Sequence, residues 1–302
     1  MSIARFLRTP PPTHAFALGE QHILYGLLSR HHDALLRVEH TNLEAPYFEL
    51  GPVGVLHVDR QMLAGALSRL VSTLGKRPKR SSVVVPNTWV RSVVLDAVAL
   101  PRQRQEAESV LRWRLKKLLP CRPEDVRLDF IAGSGNGRVL VVLALDRPLA
   151  VLEEAFAASG IEVGRIEPSM VALSALLPPM TAPVLLVTLE PRALALVAVA
   201  GGGTLLLRHK PLPGEPARAH ALIQRELSRT LAHLREKEKL TGVIETWLAS
   251  AIESGDTVQQ WAEQEGLAVR QLALGAGRVP RVVGVNDNLV WSLLATGWAG
   301  EA

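Results

Sequence analysis

Residues 110–130 read VLRWRLKKLLPCRPEDVRLDF, and this stretch decides the fold. It predicts a helix over 104–119, then a proline stop, then a strand. The apolar residues of the helix recur at spacings of four, four and three, which places them on one face: Ala107, Leu111, Leu115 and Leu118. Pro120 and Pro123 end the helix because neither supplies a backbone N–H. From residue 126 to 130, apolar and charged residues alternate, which is typical of a half-buried strand.

Trp113 falls on the opposite face of the predicted helix, between Lys116 and Lys117. An indole on a charged helix face leaves a large apolar area in water unless something covers it. We expect either a binding partner or a neighbouring loop of the same chain to cover Trp113.

The composition is that of a folded protein of about two domains, because 302 residues can bury a sizeable core. The formal charge is +5, from 34 basic and 29 acidic residues, and the basic residues are spread along the chain. The densest basic run, 76–80, is predicted to be a solvated turn. Aromatic residues are only 4% of the chain, so a base-stacking surface is disfavoured and no nucleic-acid partner is expected.

Cys121 is the single cysteine, which excludes an internal disulfide and suits a reducing compartment. No run approaches the roughly 20 apolar residues of a membrane span. The stretch 1–13 has no apolar core of the kind found in signal peptides. We therefore expect a soluble, cytoplasmic protein without an integral membrane segment.

The first half of the chain reads as strands and helices in a fixed order. A meander of three strands comes first, and a buried strand follows the first helix. In chain order we predict strands at 15–19, 22–28, 34–40 and 53–58, a helix at 60–74, strands at 82–86 and 91–100, the helix at 104–119, strands at 126–131 and 138–145, a helix at 148–159, a strand at 161–166 and a helix at 169–177.

After a proline-rich linker at 178–183 the same order restarts. We predict strands at 184–189, 194–200 and 204–208, a helix at 217–239, a strand at 243–248, a helix at 257–265 with Asp256 as N-cap, a strand at 269–274 and a helix at 288–298. The predicted domains are therefore 1–178, with an inserted β-α-β-β subdomain at about 88–160, and 179–302. Duplicated halves of this kind imply two mixed sheets that face each other across a cleft.

This order of elements resembles the actin-like fold, an α/β architecture of two ribonuclease-H-like halves. The stretch 110–130 resembles the signature region of PilM, the actin-like cytoplasmic protein of type IV pilus assembly. The matching residues are an Arg-Trp pair, a proline turn, an acidic pair and a strand that ends in an aromatic residue: Arg112, Trp113, Pro120, Glu124, Asp125, Val126, Leu128, Asp129 and Phe130. Residues 139–173 resemble the strand, helix and Glu-Pro turn that follow in that family. FtsA and the cytoplasmic domain of GspL are related, but GspL would add a membrane span and a periplasmic portion, which we do not expect here.

The resemblance implies an ATP site made of two β-hairpins and an adenosine-binding turn, with acidic residues that hold Mg²⁺. In the first hairpin Gly19 remains, which lets backbone amides approach a phosphate. Ala17 stands where the family has an aspartate, and Glu20 would repel a phosphate.

The second hairpin and the adenosine turn depart from the family as well. After Thr188 the glycine position holds Glu190, and Pro191 has no N–H to donate. The adenosine turn, usually Gly-Gly, reads Ser250-Ala251. We therefore predict no cofactor and no ATP hydrolysis. The alternative is an actin-like ATPase that binds ATP and Mg²⁺ through non-standard phosphate contacts.

No other catalytic or metal site is predicted. His31 and His32 are neighbours on an extended chain and point apart, and His220 and His233 lie too far apart on one helix to share a metal. A small-molecule kinase of the same superfamily would need a catalytic aspartate near the second hairpin, and none stands there.

The resemblance also implies a partner, because PilM binds the N-terminal tail of the membrane protein PilN in a groove between its first subdomain and the inserted one. Here the strand 82–85, with Val83 and Val85, and the helix with Arg112 and Trp113 would border that groove. We predict a scaffold that lies at the inner membrane through a PilN-like partner; self-association is left open.

The charge after the Arg-Trp pair is reversed relative to the family. Where family members often have acidic residues, this chain has Arg114, Lys116 and Lys117. This pattern predicts either a partner of altered charge or contact with anionic lipid headgroups.

Overall fold

The computed structural model describes residues 11–96, 99–132, 138–178, 182–200, 203–250, 255–272, 279–280, 282, 285 and 287–297. Their strands are β1 (His14–Leu18), β2 (His22–Leu28), β3 (Leu35–Asn42), β4 (Phe48–Gly51), β5 (Gly54–Val58), β6 (Arg80–Val85), β7 (Arg91–Leu95), β8 (Val126–Ala132), β9 (Val139–Leu145), β10 (Glu162–Pro168), β11 (Val184–Glu190), β12 (Ala193–Ala200), β13 (Gly203–Pro211), β14 (Glu245–Ser250) and β15 (Val269–Gln271). Their helices are α1 (Arg60–Ser72), α2 (Arg104–Leu115), α3 (Asp146–Ala158), α4 (Ser169–Ser174), α5 (Pro216–Glu236), α6 (Gly255–Gln264) and α7 (Asp287–Ala295).

Two five-stranded sheets share one connectivity. The first has the order β10-β6-β1-β2-β3, and the second has the order β15-β14-β11-β12-β13. In each sheet three strands form an antiparallel meander, and two later strands join in parallel beside the first strand of that meander. The duplication predicted from the sequence is therefore present in the topology, while the exact bounds of the two domains and of the insertion stay predictions.

Helices cover both faces of the first sheet. Phe16 and Val83 face α1 and α3, whereas Ala17 and Val84 face α4 and α7, as the two-residue period of a strand requires. The apolar run of β6 is therefore buried on both sides, as predicted. The closing helix α7 follows the second sheet in the sequence but packs on the first.

The second sheet is covered on one face by α5 and α6. The apolar cluster between this face and the two helices contains Ile223, Leu227 and Leu231 of α5 and Trp261 of α6. Residues of the opposite face, among them Leu186, Ala195, Val197 and Leu207, join the core cluster of the first half. The two halves therefore share one apolar core, which holds their sheets against each other.

A third sheet, with the order β7-β9-β8, lies in the sequence between β6 and α3. Leu111 and Leu115 of α2 cover one of its faces, where they form an apolar cluster with the strand residues Val126, Leu128 and Val141. This arrangement agrees with the predicted β-α-β-β insertion.

The helix of the opening stretch is shorter than predicted. It ends at Leu115, and the backbone N–H groups of Leu118 and Leu119 both donate to the Leu115 carbonyl in a turn. Pro120 disfavours a helical conformation at the residue before it, so the chain leaves the helix early. Leu118, which we placed on the buried stripe, is therefore 48% exposed.

The remaining differences concern element ends. The sequence reading missed β4, a short and largely exposed strand that pairs with β5. Strand β7 ends at Leu95 rather than residue 100, and Asp256 lies inside the first turn of α6 rather than at its N-cap. Residues 133–137, which join the predicted strands at 126–131 and 138–145, lie outside the described residues.

Candidate functional site

The turns of the two equivalent hairpins meet at the cleft between the halves. The β1–β2 turn is tight, because the Gly19 N–H donates to the His22 carbonyl at 2.8 Å. Glu20 at this turn faces Arg192 at the β11–β12 turn, with 3.6 Å between the carboxylate and guanidinium groups. An ion pair between two side chains of the chain itself therefore spans the mouth of the cleft.

Glu190 lies deeper in the cleft, at the end of β11. Its carboxylate accepts a hydrogen bond from the side-chain amide of Asn87 at 2.8 Å. The same Asn87 side chain accepts a hydrogen bond from the Met170 N–H at 2.7 Å, so one buried asparagine joins both halves and the start of α4. Burial raises the pKa of Glu190 to about 7, Ser169 and Asn87 oppose this shift, and Glu20 adds to it.

Helix α7 fixes the floor of the cleft. The Asn288 side chain donates to the carbonyls of Leu189 and Ala249 at 3.2 Å each, and these are the next-to-last residues of the neighbouring strands β11 and β14. A Cβ on Gly19 would lie 3.0 Å from the Leu289 side chain. A side chain at residue 19 would need the Leu289 side chain to shift by a few tenths of an ångström, so this packing favours glycine in the first hairpin whether or not a phosphate binds.

Three of the other predicted nucleotide positions belong to the described residues: Ala17, Thr188 and Ser250. Ala17 is fully buried within an apolar cluster, and Thr188 is fully buried on β11. Ser250 ends β14 opposite Leu189. Ala251 lies outside the described residues.

A separate groove of about 280 Å³ runs beside β10, and we name it the β10 groove. Its walls are 163–168 of β10 and parts of β8 and β9, with Arg104 at the start of α2. Apolar residues lie between these walls: Val85, Val90, Val142 and Leu149. Within the described residues β10 pairs only with β6, so the groove lies along an open strand edge.

A buried carboxyl lies in the wall of the β10 groove. Glu167 is almost fully buried, and Arg165 approaches it to 2.9 Å. Burial raises the pKa of Glu167 to about 7, and Arg165 lowers it. Neither carboxylate oxygen has a hydrogen bond of good geometry in the structure, so Arg165 supplies charge rather than a directed bond.

The structure separates the residues that we predicted for partner binding. Val85 lines the β10 groove, whereas Val83 is fully buried in the middle of the first sheet. Arg112 donates to the carbonyls of Pro123 and Val126 and so holds the turn between α2 and β8. Its contacts are internal.

Trp113, Lys116 and Lys117 lie elsewhere. Trp113 is 72% exposed, and the Arg114 guanidinium lies 6.0 Å from the centre of its ring. Lys116 and Lys117 are both exposed. Trp113, Lys116 and Lys117 lie at or just past the C-terminal end of α2. Arg104 is the first residue of this helix, about 16 Å away along the helix axis. We expected a neighbouring loop as one possible cover for Trp113, and no loop of the described residues covers it.

Sequence reasoning missed Asn87 and Arg192 as residues of the cleft. No motif marks either, and their partners are remote in the chain; Asn87 and Glu190 are 103 positions apart. Within the described residues, no three histidine, cysteine or carboxylate side chains are placed to hold a metal ion. None of the described helices is both long and apolar enough to cross a membrane.

Comparison with known proteins decides the fold. No protein-family model matches the sequence, and no curated protein sequence matches it. Among solved structures, the chain is similar to a chain of the "PilM-PilN type IV pilus biogenesis complex", with a TM-score of 0.75 and 16% identity over 96% of this chain and 98% of that one. It is also similar to a protein of Bacteroides thetaiotaomicron described as having an actin-like ATPase fold, with a TM-score of 0.52 and 11% identity over 97% and 99% of the two chains. This chain has an actin-like fold.

A third similar structure is the cytoplasmic domain of EpsL, an inner-membrane component of the type II secretion system of Vibrio cholerae. Its TM-score is 0.55 at 12% identity, over 96% of this chain and 95% of that one. The predicted fold class is thus confirmed, and the hairpin cleft described above lies between the two halves of an actin-like fold.

Proposed function

We propose that this actin-like protein is a scaffold of a type IV pilus or type II secretion-like assembly platform. It works on the cytoplasmic face of the inner membrane and binds the cytoplasmic tail of a PilN-like partner in the β10 groove. The observation that carries the proposal is the similarity along almost the whole chain to a chain from a PilM–PilN complex.

The β10 groove suits an extended peptide. An open strand edge offers unpaired backbone N–H and C=O groups, and the apolar residues beside it offer pockets for alternate side chains. Binding of this kind takes affinity from main-chain hydrogen bonds and specificity from the pockets.

A charge on the wall of the groove is expected to weaken tail binding. Val163→Glu places a carboxylate beside the apolar floor, where an apolar tail side chain would have to desolvate it. We expect the dissociation constant of a synthetic peptide, the N-terminal tail of the PilN-like protein encoded in the same genome, to rise about tenfold or more in fluorescence anisotropy.

The matched control is Leu36→Glu, the same change at an exposed apolar residue of β3, which is the opposite edge of the same sheet. It is expected to bind the peptide like the wild type. Equal weakening by both variants would count against the β10 groove, and no binding by the wild type would count against the partner.

We propose further that the scaffold works without ATP hydrolysis. Three features of the cleft support this and do not fit a Mg²⁺-bound triphosphate. The carboxyl side chains of Glu20 and Glu190 stand at the two hairpin turns, Pro191 lacks an N–H, and the apolar Ala17 takes the aspartate position. Arg192, the cation at this place, is already paired with Glu20.

Thermal unfolding tests this part of the proposal. Millimolar Mg·ATP is expected to leave the melting temperature unchanged, with Mg·ADP as the control. A nucleotide at 100 times its dissociation constant would add about 2.7 kcal/mol to the free energy of unfolding, which is several degrees. A shift of that size would favour the ATPase that uses non-standard phosphate contacts.

The exposed end of α2 is proposed as a contact with anionic lipid headgroups. Trp113 and Leu118 offer apolar area, and Arg114, Lys116 and Lys117 surround it with positive charge. Interfacial tryptophan and clustered basic residues together favour an anionic membrane surface.

Charge reversal at this end is expected to abolish that contact. Lys116→Glu with Lys117→Glu should lower binding to phosphatidylserine vesicles about tenfold or more in sedimentation assays, because each basic residue adds about 1 kcal/mol near such a surface. Lys76→Glu with Lys79→Glu, in another exposed segment, is the control for net charge. Equal losses in both pairs would mean that the attraction is not local to α2.

A further inference from the structure

A cavity of about 750 Å³ lies between β7 of the third sheet and β13 of the second, and we name it the β7–β13 cavity. Its lining contains none of Glu20, Glu190 and Arg192, so it is distinct from the hairpin cleft. Both β7 and β13 are outer strands of their sheets, and the Ser92 hydroxyl on β7 donates to the Leu207 carbonyl on β13 at 2.7 Å.

The wall formed by the β4–β5 turn is fixed in place. Gly54 has a φ of +134°, and a Cβ there would lie 2.2 Å from the Trp89 carbonyl oxygen. The turn is therefore pressed against the segment that leads into β7.

Two cations of this cavity have no partner among the described residues. The side chains of Arg91 on β7 and Lys210 on β13 form no hydrogen bond or ion pair within the described part of the chain. His209 also lines the cavity, and its buried Nδ1 has no hydrogen-bond partner among the residues that the structure describes. Burial, together with the nearby positive charges of Lys210 and Arg91, lowers the pKa of His209 to about 4.

The other basic residues of the cavity are already paired. Arg138 contacts Asp96 at 3.0 Å and Glu238 at the far end of the cavity, and Arg208 lies 3.6 Å from Glu226. The uncompensated positive charge is therefore confined to Arg91 and Lys210, beside a neutral imidazole.

We propose that the β7–β13 cavity binds a small molecule that carries two or more phosphate or carboxylate groups. Arg91 and Lys210 hold its anionic groups, and neutral His209 adds a hydrogen bond. The volume lies within the roughly 300–1,000 Å³ of small-ligand sites, too small for a folded partner. Because the two cations come from different sheets, such a ligand ties the third sheet to the second half. The site does not depend on the scaffold role proposed above.

Calorimetric titration tests the site with two probes, inorganic pyrophosphate and citrate, each without Mg²⁺ and at constant ionic strength. We expect one or both to bind the wild type, and the probe that binds tells phosphate from carboxylate. Arg91→Gln with Lys210→Gln should weaken that binding about tenfold or more, since two charge-assisted contacts are lost. Arg69→Gln with Lys79→Gln, two exposed cations of another surface, should leave it unchanged.

A third variant tests whether the anion binds in the β7–β13 cavity or at the hairpin turns of Glu20 and Arg192. Arg192→Gln should bind pyrophosphate and citrate like the wild type, and its loss of binding would place the anion at the hairpins and overturn the proposal. No binding of either probe to the wild type would overturn it as well.

The unliganded Arg91→Gln/Lys210→Gln protein should keep the wild-type melting temperature, because neither side chain has a partner among the described residues to lose. Arg91→Lys should retain part of the binding.

Discussion

Replacing Asn87 by alanine is expected to lower the free energy of unfolding by about 3 kcal/mol. The buried Asn87 amide donates to Glu190 at 2.8 Å and accepts from the Met170 N–H at 2.7 Å. Alanine leaves the buried Met170 N–H without a partner and removes one hydrogen bond from the half-buried Glu190 carboxylate, and each such loss costs about 1–3 kcal/mol. Urea unfolding at neutral pH measures the change.

The control for Asn87→Ala is Asn42→Ala, which removes an exposed hydrogen bond to His22. Its expected effect is within about 0.5 kcal/mol. A loss of that small size at Asn87 would mean that water takes over both of its hydrogen bonds, and the asparagine would then not be the link between the halves.

Replacing Glu167 by glutamine is expected to raise the free energy of unfolding by about 2–3 kcal/mol at about pH 8. Burial raises the pKa of this carboxyl from its ordinary value of 4.5 to about 7. Each pKa unit corresponds to about 1.4 kcal/mol, and the Arg165 contact that glutamine weakens reduces the gain somewhat. An uncharged side chain of the same shape removes the cost of ionising a buried group.

The pH dependence follows from the direction of this shift. Between about pH 4.5 and pH 7 the folded state holds a proton at Glu167 that the unfolded state has released, so stability falls as the pH rises through this range. The difference between Glu167→Gln and the wild type should therefore be small at about pH 5 and complete above about pH 7. Urea unfolding at about pH 5 and pH 8 measures both, and Glu162→Gln, an exposed position on the same strand, serves as the control. A difference that does not change with pH would show that Glu167 ionises normally.

Apolar periodicity was enough to predict most of the elements and their order. The run at β6, the meander β1–β3 and the long stripe of α5 each follow from where their apolar residues recur, because burial is the dominant constraint on those positions. The predicted helix extended past Leu115 because Leu118 continues the stripe, and the local effect of Pro120 on the preceding turn outweighed that pattern.

The candidate site was less predictable, because its contacts are long-range. Gly19 and Glu190 were found through their place in the hairpins, but the Asn87–Glu190 and Glu20–Arg192 contacts join residues whose separation carries no periodic signal. Arg112 was assigned to a partner because it stands beside Trp113, yet its guanidinium reaches two backbone carbonyls. Which strand lies at a sheet edge, and hence where a groove opens, depends on strand order, and a linear pattern does not contain that order.

The strand order of the first sheet also has a consequence during synthesis. Strand β10 is made last of its five strands, after α2, the third sheet and α3 have followed β6 out of the ribosome. Until residue 168 has emerged, the outer edge of β6 has no neighbour in the sheet and the β10 groove lacks the wall that β10 provides. A tail that recognises the groove would therefore ignore nascent chains and bind only protein whose first sheet is complete.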